Sequence, residues 1–271
     1  MAKGLLQGKR GIIFGALNEN SIAWEVAVKC HEEGAKIVLT NAPVAARVGQ
    51  TEALATKLGA PLIYADVTKM EDLENLVSQS MEKLGGNLDF VLHSVGMSLN
   101  VRKKIPYTEL NYEYMHQTMD ISAMSFHRLM QVLWKQDAMA EWGSILSLTY
   151  IAAQRVFPDY SEMADAKSLL ESIARSFGYH YGKHKKVRVN TISQSPTKTT
   201  AGSGVGGFDA FFNYADTMSP LGNADAASCA QYCVSMFSDY TRMVTMQNLF
   251  HDGGFSFTGI AQDLMEKFKD E

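Results

Sequence analysis

The sequence predicts an α/β fold: a single Rossmann-type domain with a doubly wound parallel sheet of about seven strands and helices on both faces. Three observations predict it. Short apolar runs alternate with stretches of helical periodicity along the chain, the pattern of a parallel sheet buried on both sides. No Pro-rich linker, composition change or internal repeat divides residues 1–271, which therefore read as one domain. A chain that is 46% hydrophobic and 20% charged has a globular composition, unlike a disordered, collagenous or coiled-coil one.

Gly11-Ile12-Ile13-Phe14-Gly15 reads as the first strand, and Ser21 to Glu33 follows as a helix with Ile22, Val26 and Cys30 at spacings of four. Gly34 ends that helix and introduces the strand Lys36–Thr40. Val44–Leu58 is helical, Pro61–Tyr64 is the third strand, Glu71–Leu84 is helical and Leu88–His93 is the fourth strand. The region from Tyr112 to Met139 supplies one long helix or two, and Ser144–Leu148 is the fifth strand. A helix from Ser161 to Tyr181, a strand at Val187–Ile192, a helix at Ala224–Phe237 and a strand at Val244–Phe250 complete the alternation. One stretch breaks the pattern. Residues 197–218 are rich in Gly, Ser and Thr, lead into Phe208, Phe211 and Phe212, and predict a lid.

The formal net charge of −4 and the pI near 6.0 argue against a nucleic-acid partner, whose binding draws on clustered Lys and Arg. No apolar run approaches the 18 or so residues of a membrane span, and Met1–Lys9 lacks a signal-peptide pattern, so the expected compartment is the cytoplasm. Cys30, Cys229 and Cys233 are too few for a disulfide framework and read as reduced, buried thiols. His180 and His184 have the spacing of a metal pair without a third ligand, and a solvated helix end is the better reading, so no metal is expected. His93 reads as a structural residue.

In open parallel sheets ligands bind beyond the carboxyl ends of the strands, which directs attention to the loops after the first, fourth, fifth and sixth. The first carries Gly15 and then Ser21-Ile22-Ala23, small residues at a helix start where free N–H groups bind a pyrophosphate or simply make a strand-to-helix turn. Tyr160 and Lys167 are seven positions apart, on one face of a common helix, so a phenol and an ammonium can share a cleft. The expectation is that the ammonium lowers the phenol pKa and favours donation to a developing oxyanion.

With these signals, the sequence resembles the short-chain dehydrogenase/reductases and, within them, the enoyl-[acyl-carrier-protein] reductases of bacterial fatty acid synthesis. The resemblance covers essentially the whole chain. It rests on Gly15 with Ser21-Ile22-Ala23, Asp66-Val67, His93-Ser94-Val95-Gly96, Leu146 to Tyr150, the Tyr160/Lys167 interval of seven with Tyr150 upstream, and His251 to Ser256. What it implies is an oxidoreductase that moves hydride to the β-carbon of a trans-2-enoyl thioester. Tyr160 would stabilise the enolate, Lys167 would hold the nicotinamide ribose, and Tyr150 would assist proton delivery or shape the pocket. Gly15, Ser21 and Ile22 would lie at the pyrophosphate, Asp66 and Val67 at the adenine, Ser94, Gly96, Pro196, Thr197 and Thr199 beside the cofactor, and Met97 and Ser98 beside the substrate.

NADH is favoured over NADPH because Thr40-Asn41-Ala42-Pro43 offers no Lys or Arg for a 2′-phosphate, Arg47 being the nearest cation. An acyl-carrier-protein thioester is the implied substrate and a homotetramer the implied assembly. The chain has Val205 to Asp209 where some relatives carry a basic cluster for the carrier, and Arg102, Lys103 and Lys104 are a substitute surface. Asp120 stands where a classical short-chain reductase has Asn, and Ser147 is displaced from a catalytic role by Tyr150. The alternatives are a carbonyl or 3-oxoacyl reductase, or an inactive NAD-binding regulatory protein.

Overall fold

The computed structural model describes residues 3–200 and 207–269. Seven strands, β1 (Arg10–Phe14), β2 (Lys36–Asn41), β3 (Leu62–Tyr64), β4 (Leu88–His93), β5 (Met139–Thr149), β6 (Arg188–Gln194) and β7 (Asn248–His251), form one sheet in the order β3-β2-β1-β4-β5-β6-β7. Every pairing is parallel. The order reverses between β1 and β4, where an open α/β sheet leaves a crevice.

Side chains leave the strands alternately to two cores, as a pleat of period two requires. Ile12, Phe14, Val91, Ile145 and Val189 face one layer, made by α4 (Met70–Leu84), α7 (Ser125–Lys135) and α8 (Met163–Lys185). Ile13, Phe90, Leu92, Leu146 and Ile192 face the other, made chiefly by α1 (Ile22–Glu32) and α10 (Ala226–Phe237). All three cysteines are buried, without a disulfide, in this second layer.

The element boundaries differ from the sequence expectation where local chemistry interrupts a pattern. The helix expected over 44–58 is two, α2 (Ala45–Val48) and α3 (Thr51–Leu58), parted at Gly49, whose backbone fits against Leu17 with no room for a Cβ. The 112–139 region is α6 (Tyr112–Met119), a π-helical turn at Asp120–Met124, and α7. The fifth strand begins at Met139 instead of Ser144, and the seventh at Asn248 instead of Val244. Short helices α5 (Leu99–Arg102) and α11 (Gln262–Glu266) lacked a periodic signal. The expected lid contains α9 (Phe208–Met218), while residues 201–206 lie outside the described residues.

Gly15 is indispensable to the crevice. It lies at φ +98°, and a Cβ there would stand 2.0 Å from the Ser94 carbonyl oxygen, so the chain ends of β1 and β4 touch at this point. Gly11, inside β1, makes a similar allowance: its Cβ would lie 2.3 Å from the Phe90 ring, which is stacked on Phe237 at 4.5 Å between centroids. Gly11→Ala should therefore destabilise the protein by about 1–3 kcal/mol through overpacking. Urea unfolding would show it as a lower midpoint at unchanged slope; an unchanged midpoint would mean that the ring relaxes freely.

Candidate active site

The loops beyond the carboxyl ends of β1, β4, β5 and β6 surround a cleft of about 480 Å³. Gly15, Ser21 and Ile22 line it, Ser94, Gly96, Met97 and Ser98 follow, Tyr150 and Tyr160 come from the segment between β5 and α8, and Lys167 comes from the first turns of α8. Pro196, Thr197 and Thr199 close it beyond β6. Asp66 and Val67 are not among the lining residues. The Asp66 carboxylate accepts from the Thr68 hydroxyl and N–H at 2.7 and 3.0 Å, which stiffens the turn into α4, and Val67 packs against the core.

Tyr160 reaches the cleft by a route the sequence does not advertise. It ends a 3₁₀ turn, Pro158–Tyr160, and α8 begins only at Met163. Between them Ser161 takes φ 47° and ψ −144°, a strained conformation for a residue with a Cβ. The common helix expected for Tyr160 and Lys167 is thus corrected to a turn and a helix joined by a backbone reversal, with both side chains still lining one cleft.

Lys167 is buried and donates its Nζ to the Leu148 carbonyl at 2.9 Å, tying α8 to the end of β5. Burial, partly countered by Glu171, pulls its pKa down from 10.5 to about 8. Tyr160 moves the opposite way from expectation. Burial raises its phenol well above the ordinary value, which overturns the idea that Lys167 lowers it. The removal of water decides the direction, and the Lys167 ammonium is directed at the Leu148 carbonyl. At neutral pH Tyr160 is therefore a fixed O–H donor, not a phenolate.

Tyr150 lies 5.2 Å from Tyr160 ring to ring, with Phe157 at 5.3 Å and Phe211 of α9 at 5.9 Å. These rings form an apolar wall, and the Tyr150 hydroxyl is buried in it without a partner among the described residues. Its pKa is raised by burial and then by Tyr160 and Asp252. His93 stands behind the cleft between the hydroxyls of Ser147 and Ser125, each at 2.9 Å, and burial followed by the charge of Lys167 lowers it to about 3. It is a neutral structural bridge, and Ser147 serves it there. Asp120 pairs with Arg128, and His184 faces Asp137 at 3.4 Å.

The cleft fits a dinucleotide. No side chain caps α1, and although the Trp24 N–H already donates to the Ser21 carbonyl at 3.0 Å, the Ile22 and Ala23 N–H groups at the start of the helix can meet a diphosphate beside Ser21. Gly96 keeps the floor open: a Cβ there would come to 3.7 Å from Lys167 Nζ. At the end of β2 the Asn41 side chain is engaged with backbone, donating to the Ala16 carbonyl and accepting from Ala42 N–H, and only Arg102 and Lys167 among the lining residues are cationic. Sequence reasoning missed Leu148, Phe157 and Glu162. Phe157 could have been found as an aromatic three residues before Tyr160; nothing local marks the other two.

Comparison with known proteins agrees with this geometry. The sequence model of the family described as Enoyl-(Acyl carrier protein) reductase matches residues 15–256. Enoyl-[acyl-carrier-protein] reductase [NADH] 1 of Rhizobium meliloti is 35% identical over 265 residues, covering 96% of this chain and 94% of that protein. The crystal structure of a FabI–NADH complex from Alistipes finegoldii superposes with a TM-score of 0.94 at 59% identity, covering 95% of this chain and 91% of that one. FabI of Aquifex aeolicus superposes with a TM-score of 0.87 at 32% identity, covering 94% and 99%.

The buried ammonium makes a measurable demand on stability. Below pH 8 both folded and unfolded chains keep Lys167 protonated and the fold bears the full burial cost; between about 8 and 10.5 the unfolded chain binds the extra proton, so stability rises with pH. Relative to Lys167→Met, the wild type should gain up to about 3 kcal/mol across that window. Paired urea titrations would read this, and a pH-independent difference would contradict the assigned environment of Lys167.

Proposed function

The chain belongs to the enoyl-(acyl carrier protein) reductase family, and from that membership and the cleft we infer that it reduces the trans-2 double bond of an acyl-carrier-protein thioester with NADH, as a step of fatty acid synthesis. The observation that carries the reading is the meeting of Tyr160, Tyr150 and Lys167 in one cleft, with an apolar wall beside the tyrosines and the start of α1, at Ser21 and Ile22, among its lining residues.

Bound NADH supplies the hydride, which the protein's side chains cannot supply themselves. Gly15, Ser21 and Ile22 would hold its diphosphate, Lys167 its nicotinamide ribose, and Ser94, Gly96, Pro196, Thr197 and Thr199 its flanks. Hydride addition at the β-carbon pushes electron density onto the thioester carbonyl oxygen. Tyr160, kept protonated by burial, donates its O–H to that oxygen. The donor gains strength as charge develops, so it binds the transition state more tightly than the substrate. Tyr150 and Phe157, with Phe211, would exclude water from the acyl chain, and Met97 and Ser98, which line the same cleft, would border it. The Asn41 side chain is taken up by backbone, and of the residues that line the cleft only Arg102 and Lys167 are cationic, which supports NADH over NADPH because a 2′-phosphate at the end of β2 would need a charged partner.

The reading extends to a cytoplasmic homotetramer. Phe257, Ile260 and Phe268 near the chain end are 81%, 70% and 67% exposed, apolar area of the kind that subunit contacts cover. Among the described residues no helix is long and apolar enough to cross a membrane.

NADH oxidation should be rapid with a trans-2-enoyl thioester and negligible with a 3-oxoacyl thioester, and Tyr160→Phe should lower kcat by roughly 10²–10³ while leaving NADH affinity intact. Oxidation of NADH with the 3-oxoacyl substrate alone would replace this reading with a carbonyl reductase. Tight NADH binding with no turnover of any enoyl thioester would replace it with a binding protein.

A further inference from the structure

Glu162 is fully buried, lies outside the cleft lining, and has no cationic partner among the described residues. Such a carboxylate is costly unless strong hydrogen bonds replace its water. Two do. The Ser98 hydroxyl donates to its Oε1 at 2.7 Å and the Thr118 hydroxyl at 2.6 Å. Burial pushes the carboxyl pKa up, but the bonds from Thr118 and Ser98 outweigh it, so the group stays ionised. These distances belong to charge-assisted hydrogen bonds, which are roughly twice as strong as neutral ones.

The partners sit in informative places. Ser98 lines the cleft and caps α5, accepting from Val101 N–H at 3.0 Å. Its neighbour Met97 is fixed through both N–H and carbonyl by the Ser122 hydroxyl of the π-helical turn. Thr118 belongs to the last turn of α6. Glu162 follows Ser161, the reversed residue that separates Tyr160 from α8. A conformation such as that of Ser161 costs on the order of 1–3 kcal/mol and persists only where its surroundings hold it. On the Tyr160 side the backbone offers the Tyr160 N–H to Phe157 carbonyl bond at 3.0 Å; on the other side the Ser161 carbonyl accepts from the Ala164 N–H at 3.2 Å, the Glu162 carbonyl accepts from the Ala166 N–H at 3.0 Å, and the buried Glu162 carboxylate is the side-chain anchor.

We propose that Glu162 is a positioning residue: gripped by Ser98 and Thr118, it holds the Ser161 reversal and thereby fixes the Tyr160 hydroxyl relative to Met97, Ser98 and Val101, which line the same cleft. The arrangement couples the oxyanion donor to the acyl-binding wall, so both move together or not at all. Because both hydroxyls converge on one oxygen, an amide carbonyl at the same place can receive them. The inference rests on the role assigned to Tyr160 above.

The test is steady-state kinetics of Glu162→Ala, Glu162→Gln and Tyr160→Phe, singly and combined, with a trans-2-enoyl thioester. Glu162→Ala should lower kcat roughly 10–100-fold, the scale of a misplaced catalytic group, with NADH affinity by fluorescence quenching unchanged. Glu162→Gln should restore most of that loss. In the Tyr160→Phe background Glu162→Ala should subtract almost nothing further, since a residue acting through the phenol has nothing left to position. A loss that multiplies in the double variant, or Glu162→Ala retaining kcat within twofold, overturns the proposal. Should Glu162→Ala fail to fold, Thr118→Val takes its place with the same double-variant criterion. A Tyr160→Phe enzyme with full activity would overturn the assignment of Tyr160 itself, and is recognised before any Glu162 variant is measured.

Discussion

The hydrogen bond from Lys167 to the Leu148 carbonyl is the constraint around which the site is arranged. An ammonium this deeply buried loses hydration, and its depressed pKa records the loss. The Leu148 carbonyl takes one of its three hydrogens and fixes the helix α8 to the carboxyl end of β5. The remaining donors have the open floor over Gly96 before them, where a Cβ would come to 3.7 Å of the nitrogen. Among the described residues Nζ donates only to the Leu148 carbonyl, so on the proposed function its remaining donors would serve a polar, hydroxyl-bearing ligand. Such preorganisation costs stability in the free protein and recovers it on binding.

Much of this was legible in the sequence. Strand after strand could be read because a sheet buried on both faces needs runs such as Ile12-Ile13-Phe14, and helices announce themselves by spacings such as Ile22, Val26 and Cys30. Tyr160 and Lys167 were legible as a pair because their interval survives the insertion of a reversal between them. The reversal itself was not. Serine carries no signal for a positive φ, and the residues that hold Ser161 in place are as far away as Ser98 and Thr118. Glu162 looks from sequence like an acid near a helix start that favours the dipole, the ordinary reading of such a position. Only three-dimensional burial distinguishes the anchor from the surface charge.

The same limit explains the sign error over the phenol. Sequence spacing shows that an ammonium and a phenol are neighbours, and neighbouring opposite charges argue for a lowered phenol pKa. It does not show the water that both lose. Burial acts on Lys167 and Tyr160 in opposite directions on the pKa scale but to one effect, favouring the neutral form of each. The chemistry changes accordingly. A phenolate could accept a proton, whereas the protonated Tyr160 can only offer one, which is the polarity that an oxygen gathering charge requires.

Tyr150 completes the argument from the other wall. Its hydroxyl is buried without a partner among the described residues, enclosed by the rings of Phe157, Phe211 and Tyr160. An unsatisfied buried hydroxyl costs about 1–3 kcal/mol, and a protein keeps one where something else satisfies it. An apolar chain sliding along these rings gains area but leaves the hydroxyl unpaired. A thioester carbonyl brought to the same wall can pair it, so the wall prefers an apolar chain that ends in a polar oxygen over one that does not. On the proposed function, selection of an acyl thioester and preparation for its reduction would draw on the same two phenols: the Tyr150 hydroxyl, which has no partner among the described residues, and the Tyr160 hydroxyl, whose bond to the carbonyl oxygen would strengthen as the reaction proceeds.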